Sequence, residues 1–399
     1  MQSVIPYGRQ HITEEDLEVV REILLSDYLT QGPKILEFEE QFAKYVGAKY
    51  AVALSNGTAA LHLCAMSLGV EPGKKVITSP ITFAASANCV RYCGGEVVFG
   101  DIDPDTYLLD INSVRKLLEE SPIGTYQGII PVDFAGRAVN LEEFRDLADK
   151  YGLWIIEDSC HAPGGHFLTS NGSQSKCGSG DFADLAIFSF HPVKHIASGE
   201  GGMITTNNEK LYKKLLQLRT HGIIKDDSLY RNTPEFAAGQ EGVTDYPAWY
   251  MEMQDLGYNY RITDFQAALG LSQLSRAQQG ITRRREIAKT YSNAFNGLDF
   301  VKGQSGSVEG HAYHLYILEV DNRLGLYNYL RQYNIFAQIH YIPCHLMPYY
   351  RDLGWKEGDR FHAEEYYRRC ISLPMYPTLS EEEQEFVIEK VLEFYKNNA

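Results

Sequence analysis

The sequence is short of positive charge: 37 lysines and arginines stand against 52 aspartates and glutamates, a net of −15. Phosphate-backbone binders carry a basic face, so nucleic acid and anionic membranes are poor partners, though a small anion in a local site is not excluded. No apolar run approaches the ~20 residues of a membrane span, and the opening MQSVIPYGRQ lacks an apolar leader core. The seven cysteines form no CxxC pair and read as reduced thiols of a cytoplasmic protein. Cys89 and Cys93 lie four apart with no second pair, and the twelve histidines contain no HExxH, so no metal site is expected. No GxGxxG follows an early strand, which disfavours a dinucleotide-binding dehydrogenase. Internal repeats and low-complexity tracts are missing too.

What is present is the composition of a globular protein, 44% hydrophobic and 22% charged. A chain of 399 residues predicts two domains, here 14–270 and 271–399 behind an N-terminal arm, 1–13. Thr13 and the acids after it predict a helix start, with Leu17, Val20 and Leu24 at helical spacing. Seven apolar runs then predict strands: Ala51–Ser55, Lys75–Ser79, Glu96–Phe99, Gly128–Val132, Leu153–Glu157, Leu185–Phe190 and Gly202–Thr206. Amphipathic segments between them, such as Leu141–Tyr151, make this an α/β chain with a mainly parallel sheet covered on both faces. Ligands of such sheets bind beyond the carboxyl ends of the strands. His221–Trp249 is too long and polar for an idle connection. Beyond it, strands near His314–Val320 and Phe336–His340 and a last helix capped by Ser380 and Glu383 suggest a smaller α+β domain.

Four polar clusters fall at the predicted strand ends. Ala186–Gly202, AIFSFHPVKHIASGEGG, places Lys194 on a turn where Pro192 and the glycines forbid a regular helix. A partly desolvated lysine loses its proton readily, as a Schiff-base nucleophile must; alone, the stretch reads better as a surface loop. Ser55-Asn56-Gly57-Thr58 ends one strand and opens a helix whose free N–H groups suit a phosphate, or else it is only a tight turn. Asp158 closes the very apolar Ile155-Ile156-Glu157 run, where a carboxylate needs a partner: a helix cap, or a cofactor ring nitrogen. Phe83 could cover a flat ring, or be core. Ser189 adds a hydroxyl at the same sheet edge.

The order phosphate cradle, aromatic, aspartate, then lysine 36 residues later is that of fold-type I enzymes using pyridoxal 5′-phosphate. The segments SNGTAALHL, SPITFAASAN, IIEDSCHAPGG, FSFHPVKHIASGEGG, RTHG and GYNYRITDFQAALGLSQL resemble, over essentially the whole chain, the DegT/DnrJ/EryC1/StrS sugar-nucleotide aminotransferases. IPYGRQ, LTQGP, AYHLY and HYIPCHLMPYYR resemble the branch that makes UDP-4-amino-4,6-dideoxy-N-acetyl-β-L-altrosamine for pseudaminic acid.

The resemblance implies roles. Lys194 would bond the cofactor's aldehyde carbon and move the proton to the sugar's C4; Asp158 would meet the ring nitrogen. Phe83 would stack on the ring and His161 would lie near its polar edge. Gly57, Thr58 and Ser189 would hold the phosphate, with Asn259 reaching in from the second subunit of a homodimer. Tyr7, Tyr28, Leu29, Thr30, Asn56, Tyr313, His314 and Tyr316 would surround a UDP-sugar, with L-glutamate as amine donor. The rivals are a D-configured keto sugar as acceptor, and a non-catalytic nucleotide-sugar-binding protein. The family's 3-dehydratases replace the lysine with histidine, so Lys194 argues against that chemistry. Two departures stand out: Ala197 lacks a hydroxyl that the branch carries after the lysine, and His166–Gly180 is long, as a lengthened surface hairpin would be.

Overall fold

The computed structural model describes residues 4–304 and 309–398. Residues 1–3 of the expected arm, and 305–308 and 399 of the expected second domain, lie outside the described residues.

All seven predicted strands join one sheet, in the order Tyr50–Leu54, Gly202–Thr206, Leu185–Ser189, Trp154–Asp158, Tyr126–Ile130, Lys75–Thr78, Glu96–Phe99. Gly202–Thr206 runs antiparallel to both its neighbours, and the other pairings are parallel. Strands buried on both faces read as continuous apolar runs rather than alternating ones. Ile77, Ile129 and Ile155 face one helical layer, and Val52, Leu54, Ile130, Ile156 and Ile187 face the other, all without solvent contact. The helix Gly57–Ser67 is apolar nearly all round because it packs against the sheet on one side and against the helices Ala85–Tyr92 and Glu209–Arg219 on others.

A second, three-stranded antiparallel sheet joins Val301–Gly303, Tyr316–Val320 and Cys370–Leu373. Its core mixes those strands with the helices Ala277–Phe295 and Glu381–Asn398. The expected box at the last helix is formed: Ser380 N–H donates to the Glu383 carboxylate (3.2 Å), and Glu383 N–H donates back to the Ser380 hydroxyl (3.1 Å). The expected division at 270/271 lies within the helix Asp264–Ser275.

Several local expectations are corrected. The strand expected over Phe336–His340 is only Ile335–Phe336, because its partner is the two-residue strand Ile5–Pro6 of the N-terminus. Within and just beyond the long polar stretch His221–Trp249, Ile223–Ile224 pairs with Glu252–Met253, and Tyr230, Tyr246 and Tyr250 pack together beside Glu252. His166–Leu168 and Gln174–Lys176 form the expected hairpin.

The first helix, Glu14–Leu24, inverts its predicted face. Leu17 and Leu24 are exposed, whereas Asp16 is 1% exposed. A polar contact wins: the Asp16 carboxylate accepts from Arg276 (2.7 and 3.1 Å), Ser272 (2.6 Å), Gln273 (2.7 Å) and Thr13 N–H (2.9 Å). Burial pushes this carboxyl up, but the donors, Arg276 first, outweigh it and bring it down to about 2. A depressed value contributes stability above the unfolded value of 3.8, lost as the pH falls through about 2. Asp16→Asn is expected to cost about 2 kcal/mol in urea unfolding at neutral pH, a gap that persists down to about pH 5 and narrows only below about pH 4.

Candidate active site

The carboxyl ends of the parallel strands open into a cavity of about 670 Å³. The predicted Lys194, Asp158, His161, Ser189, Gly57, Thr58, Phe83, Asn56 and Tyr7 all line it.

Asn56 leaves its strand and caps the helix Gly57–Ser67, its side-chain oxygen accepting from Ala59 N–H (2.8 Å). That cap serves Ala59, while Gly57 and Thr58 turn their first-turn backbone to the cavity. Gly202, in the neighbouring strand, lets that turn approach; a Cβ there would lie 2.5 Å from the Asn56 carbonyl. The cradle could hold an anion, since helix N-termini carry unsatisfied donors and a positive dipole end.

Asp158, 5% exposed, ends its strand between backbone bonds to Pro131 (2.9 Å) and Asp133 (3.0 Å). Its carboxylate accepts from the Ser86 hydroxyl (2.6 Å) and Cys160 N–H (3.2 Å). A carboxylate can only accept, so Ser86 donates to it and takes its own bond from the Thr82 hydroxyl (2.7 Å). Lys194 sits half-buried on the turn after Phe190, its N–H donating to His191 O (2.8 Å). Burial pushes its amine pKa down, opposed by nearby Cys160 and Asp158.

His161 is buried with its tautomer set. Ala135 N–H can only donate, so Nδ1 accepts it (3.3 Å) and Nε2 carries the proton toward the Tyr341 hydroxyl (3.3 Å). Burial, then the positive Lys194, hold this ring neutral. Ala135 adopts φ 62°, a left-handed strain paid at a site. Gly136 beside it admits the Tyr313 backbone, which a Cβ would meet at 2.7 Å. Phe83 is 62% exposed at the cavity rim, and so is free to cover a ligand rather than serve as core.

The structure does not bring every expected residue here. His314 is buried behind His161, ring centroids 4.3 Å apart, and Tyr313 and Tyr316 line a separate small cavity with Arg137 and His311. Tyr28, Leu29, Thr30 and Asn259 are exposed and outside the cavity of their own chain. Ala197 and Ser198 are buried off the cavity, where the Ser198 hydroxyl braces Glu200 O (2.9 Å). The lost hydroxyl at Ala197 is therefore not a cavity contact in this chain.

Sequence reasoning missed Ser86, His340, Tyr341 and Tyr260, all on the cavity wall. HYIPCHLMPYYR marked its segment without saying where Tyr341 would point, and no spacing rule joins residues 180 apart. Ser86 was within reach, four residues after Thr82 at the start of a helix.

A lysine, a buried aspartate and a helix-start anion cradle on one cavity fit pyridoxal 5′-phosphate. The DegT/DnrJ/EryC1/StrS aminotransferase family matches residues 10–392. The chain belongs to it. The chain is 37% identical to the spore coat polysaccharide biosynthesis protein SpsC of Bacillus subtilis, over 98% of this chain and 97% of that one. It is 33% identical to the UDP-4-amino-4,6-dideoxy-N-acetyl-β-L-altrosamine transaminase of Campylobacter jejuni, over 96% of each. Among solved structures, Helicobacter pylori PseC, an aminotransferase involved in the biosynthesis of pseudaminic acid, superposes with TM-score 0.87 at 29% identity, over 99% of this chain and all of that one. The pyridoxal-phosphate form of the Streptococcus pneumoniae sugar aminotransferase Spr1654 superposes with TM-score 0.85 at 28% identity, over 99% of each. This family member is thus an aminotransferase whose cofactor is pyridoxal 5′-phosphate. Among the described residues no helix is long and apolar enough to cross a membrane.

The short Ser86 bond generates a test. Ser86→Ala removes a charge-assisted donor from Asp158, worth about 1.5–3 kcal/mol, and is expected to weaken cofactor binding about tenfold or more in absorbance titrations of the cofactor-free chain. The conservative Ser86→Thr should restore most of it.

Proposed function

We propose that the enzyme moves an amino group from L-glutamate to C4 of a UDP-linked 4-keto-6-deoxy-N-acetylhexosamine, UDP-2-acetamido-2,6-dideoxy-β-L-arabino-hexos-4-ulose. The product is UDP-4-amino-4,6-dideoxy-N-acetyl-β-L-altrosamine, a precursor of pseudaminic acid. The reading is carried by the cavity that Lys194 and Asp158 share, in a chain alike end to end to the altrosamine transaminase of Campylobacter jejuni.

Each residue has work suited to its surroundings. Gly57 and Thr58 N–H groups and the Ser189 hydroxyl would hold the cofactor phosphate, and the Asp158 carboxylate would accept a bond from the protonated ring nitrogen. When bound, pyridoxal 5′-phosphate supplies a conjugated ring that delocalises the electron pair left as a proton departs. The Lys194 amine, its pKa lowered by burial, takes and returns that proton at the substrate carbon. Phe83 would lie across the ring face and Tyr7 at the sugar side; Tyr7 is held by Met375 N–H donating to its carbonyl (2.9 Å).

The pairing of two such chains is part of the same proposal. Asn259 and the Tyr28–Thr30 turn are exposed and outside the cavity of their own chain, and Leu17, Leu24, Leu25 and Leu36 are exposed as well. A second copy covering this surface would bury the apolar groups and bring Asn259 to the partner's phosphate cradle. Light scattering of the purified enzyme is expected to return twice the chain mass; a monomer that turns over at full rate would remove the shared site.

The greater identity to a spore coat polysaccharide protein favours a surface polysaccharide as the product's use, and the rival acceptor for the same transfer is a D-configured 4-keto sugar. Enzyme, cofactor, labelled glutamate and both keto-sugar epimers decide between them: the β-L-arabino epimer is expected to take the label. Lys194→Ala should lose turnover and the visible band of lysine-bound cofactor together. Persistent turnover in that variant would refute the assignment.

A further inference from the structure

Successive residues of a strand face opposite ways, so Glu157 points away from the cavity that Asp158 faces. It enters a sealed cluster in which the carboxylates of Asp133 and Glu157 and the Cys177 thiol have ligand atoms within 4.8 Å of one another. Asp133 is 0% exposed, Cys177 1% and Glu157 2%. The donors they receive are neutral. Asp133 takes Val139 N–H (2.8 Å) and the Ser159 hydroxyl (2.6 Å), and Glu157 takes Gly178 N–H (2.9 Å). The groups acting most on either carboxylate include no cation; they are these donors, Cys177 and the two acids themselves. Toward the cavity, the Cys160 thiol is acted on by Asp158, Lys194 and Asp133.

Two carboxylates this close in a dry interior, with no cation among the described groups that act most on them, cannot both be ionised at modest cost. We propose that Asp133 and Glu157 hold one proton between them, and that this pair is a positioning device for the face of the strand that carries the chemistry.

The connections run through named bonds. Asp133 N–H donates to the Asp158 carbonyl, so the acid's backbone holds the end of the strand. Its side chain closes the loop from 133 to 139, which carries the Ala135 N–H that sets the His161 tautomer. The Ser159 bond fixes the residue between Asp158 and Cys160. Loss of the shared proton would force the carboxylates apart and slacken that loop beneath His161. Burial supports the picture, pushing Asp133 up to about 6 and Glu157 well above the usual carboxyl range. Both bind protons more tightly folded than unfolded. Their contribution is complete below about pH 4 and is lost as the pH rises through about 6 and beyond.

The test uses the full chain freed of cofactor, so it is independent of which sugar is aminated. Glu157→Gln keeps the shape, is always neutral and can donate to Asp133. Its melting temperature relative to wild type is expected to climb by about 3 °C between about pH 5 and pH 8; parallel curves would overturn the shared proton. Should that variant not fold, wild type alone still decides. Its infrared spectrum at neutral pH should contain a protonated carboxylic acid band, and the absence of that band would overturn the proposal. A stoichiometric metal ion that survives dialysis would overturn it too, as the neutralising charge would then be the metal. For the positioning role, the ring-nitrogen NMR signals of His161 should shift with the pair's titration in wild type and stay fixed in Glu157→Gln. Signals that ignore pH in both would confine the pair to stability and end that role.

Discussion

The structure is organised by the problem of holding the Asp158 carboxylate at the buried end of a strand. A carboxylate taken from water costs several kcal/mol unless donors and a positive group replace the solvent. Here Ser86 and Cys160 N–H supply donors, and the Lys194 turn supplies the positive group nearby. The same proximity works on the lysine in the opposite direction. Burial pushes it toward the free amine while the carboxylate nearby holds it back, so moving Asp158 would change the proton affinity of Lys194. Much of the surrounding architecture is the means of holding these two ends of strands in register.

That means is spread over the whole chain. The parallel strands bring Asp158 and Ser189 to one edge, and the antiparallel Gly202–Thr206 lets the Lys194 turn fold back between them. The three-stranded sheet extends the wall: Gln338 and Ser372 bond each other's backbones, and Ser372 also meets His340 Nδ1 (2.8 Å) at the cavity. The N-terminus joins this part through the parallel pairing of Ile5–Pro6 with Ile335–Phe336, which places Tyr7 on the rim. Helix Glu14–Leu24 then leaves toward Arg276, where the buried Asp16 replaces an apolar stripe as the anchor.

What could be read beforehand follows from distance along the chain. Continuous apolar runs such as Ile155-Ile156 and turns such as Asn56-Gly57 are local, and each located a strand end to within a residue or two. Lys194, Asp158 and the cradle were legible because chemistry needs those residue types at strand ends. Leu17 and Leu24 misled because periodicity reports a helix but not which face a buried ion pair will claim. Tyr341 and His340 could not be placed at all, since their contacts to His161 and Ser372 depend on how two sheets are set against one another. Tyr28, Leu29, Thr30 and Asn259 came from resemblance alone, and a single chain holds them away from its own cavity.

The histidines show why the wall matters as much as the two charged groups. His161, His195, His314 and His340 crowd the region behind and beside Lys194, and burial holds each in its neutral form. Four imidazolium ions there would repel the lysine and lower its proton affinity beyond use; four neutral rings instead supply directed single donors and acceptors. His161 shows the consequence most directly, with one nitrogen committed to Ala135 N–H and the other to Tyr341. A neutral, fixed-tautomer ring of this kind orients the Tyr341 hydroxyl on the cavity wall without competing for the proton that the proposed mechanism assigns to Lys194. On the proposed mechanism, proton transfer is thereby left to Lys194 alone, which an enzyme needs if the proton is to return to a chosen carbon.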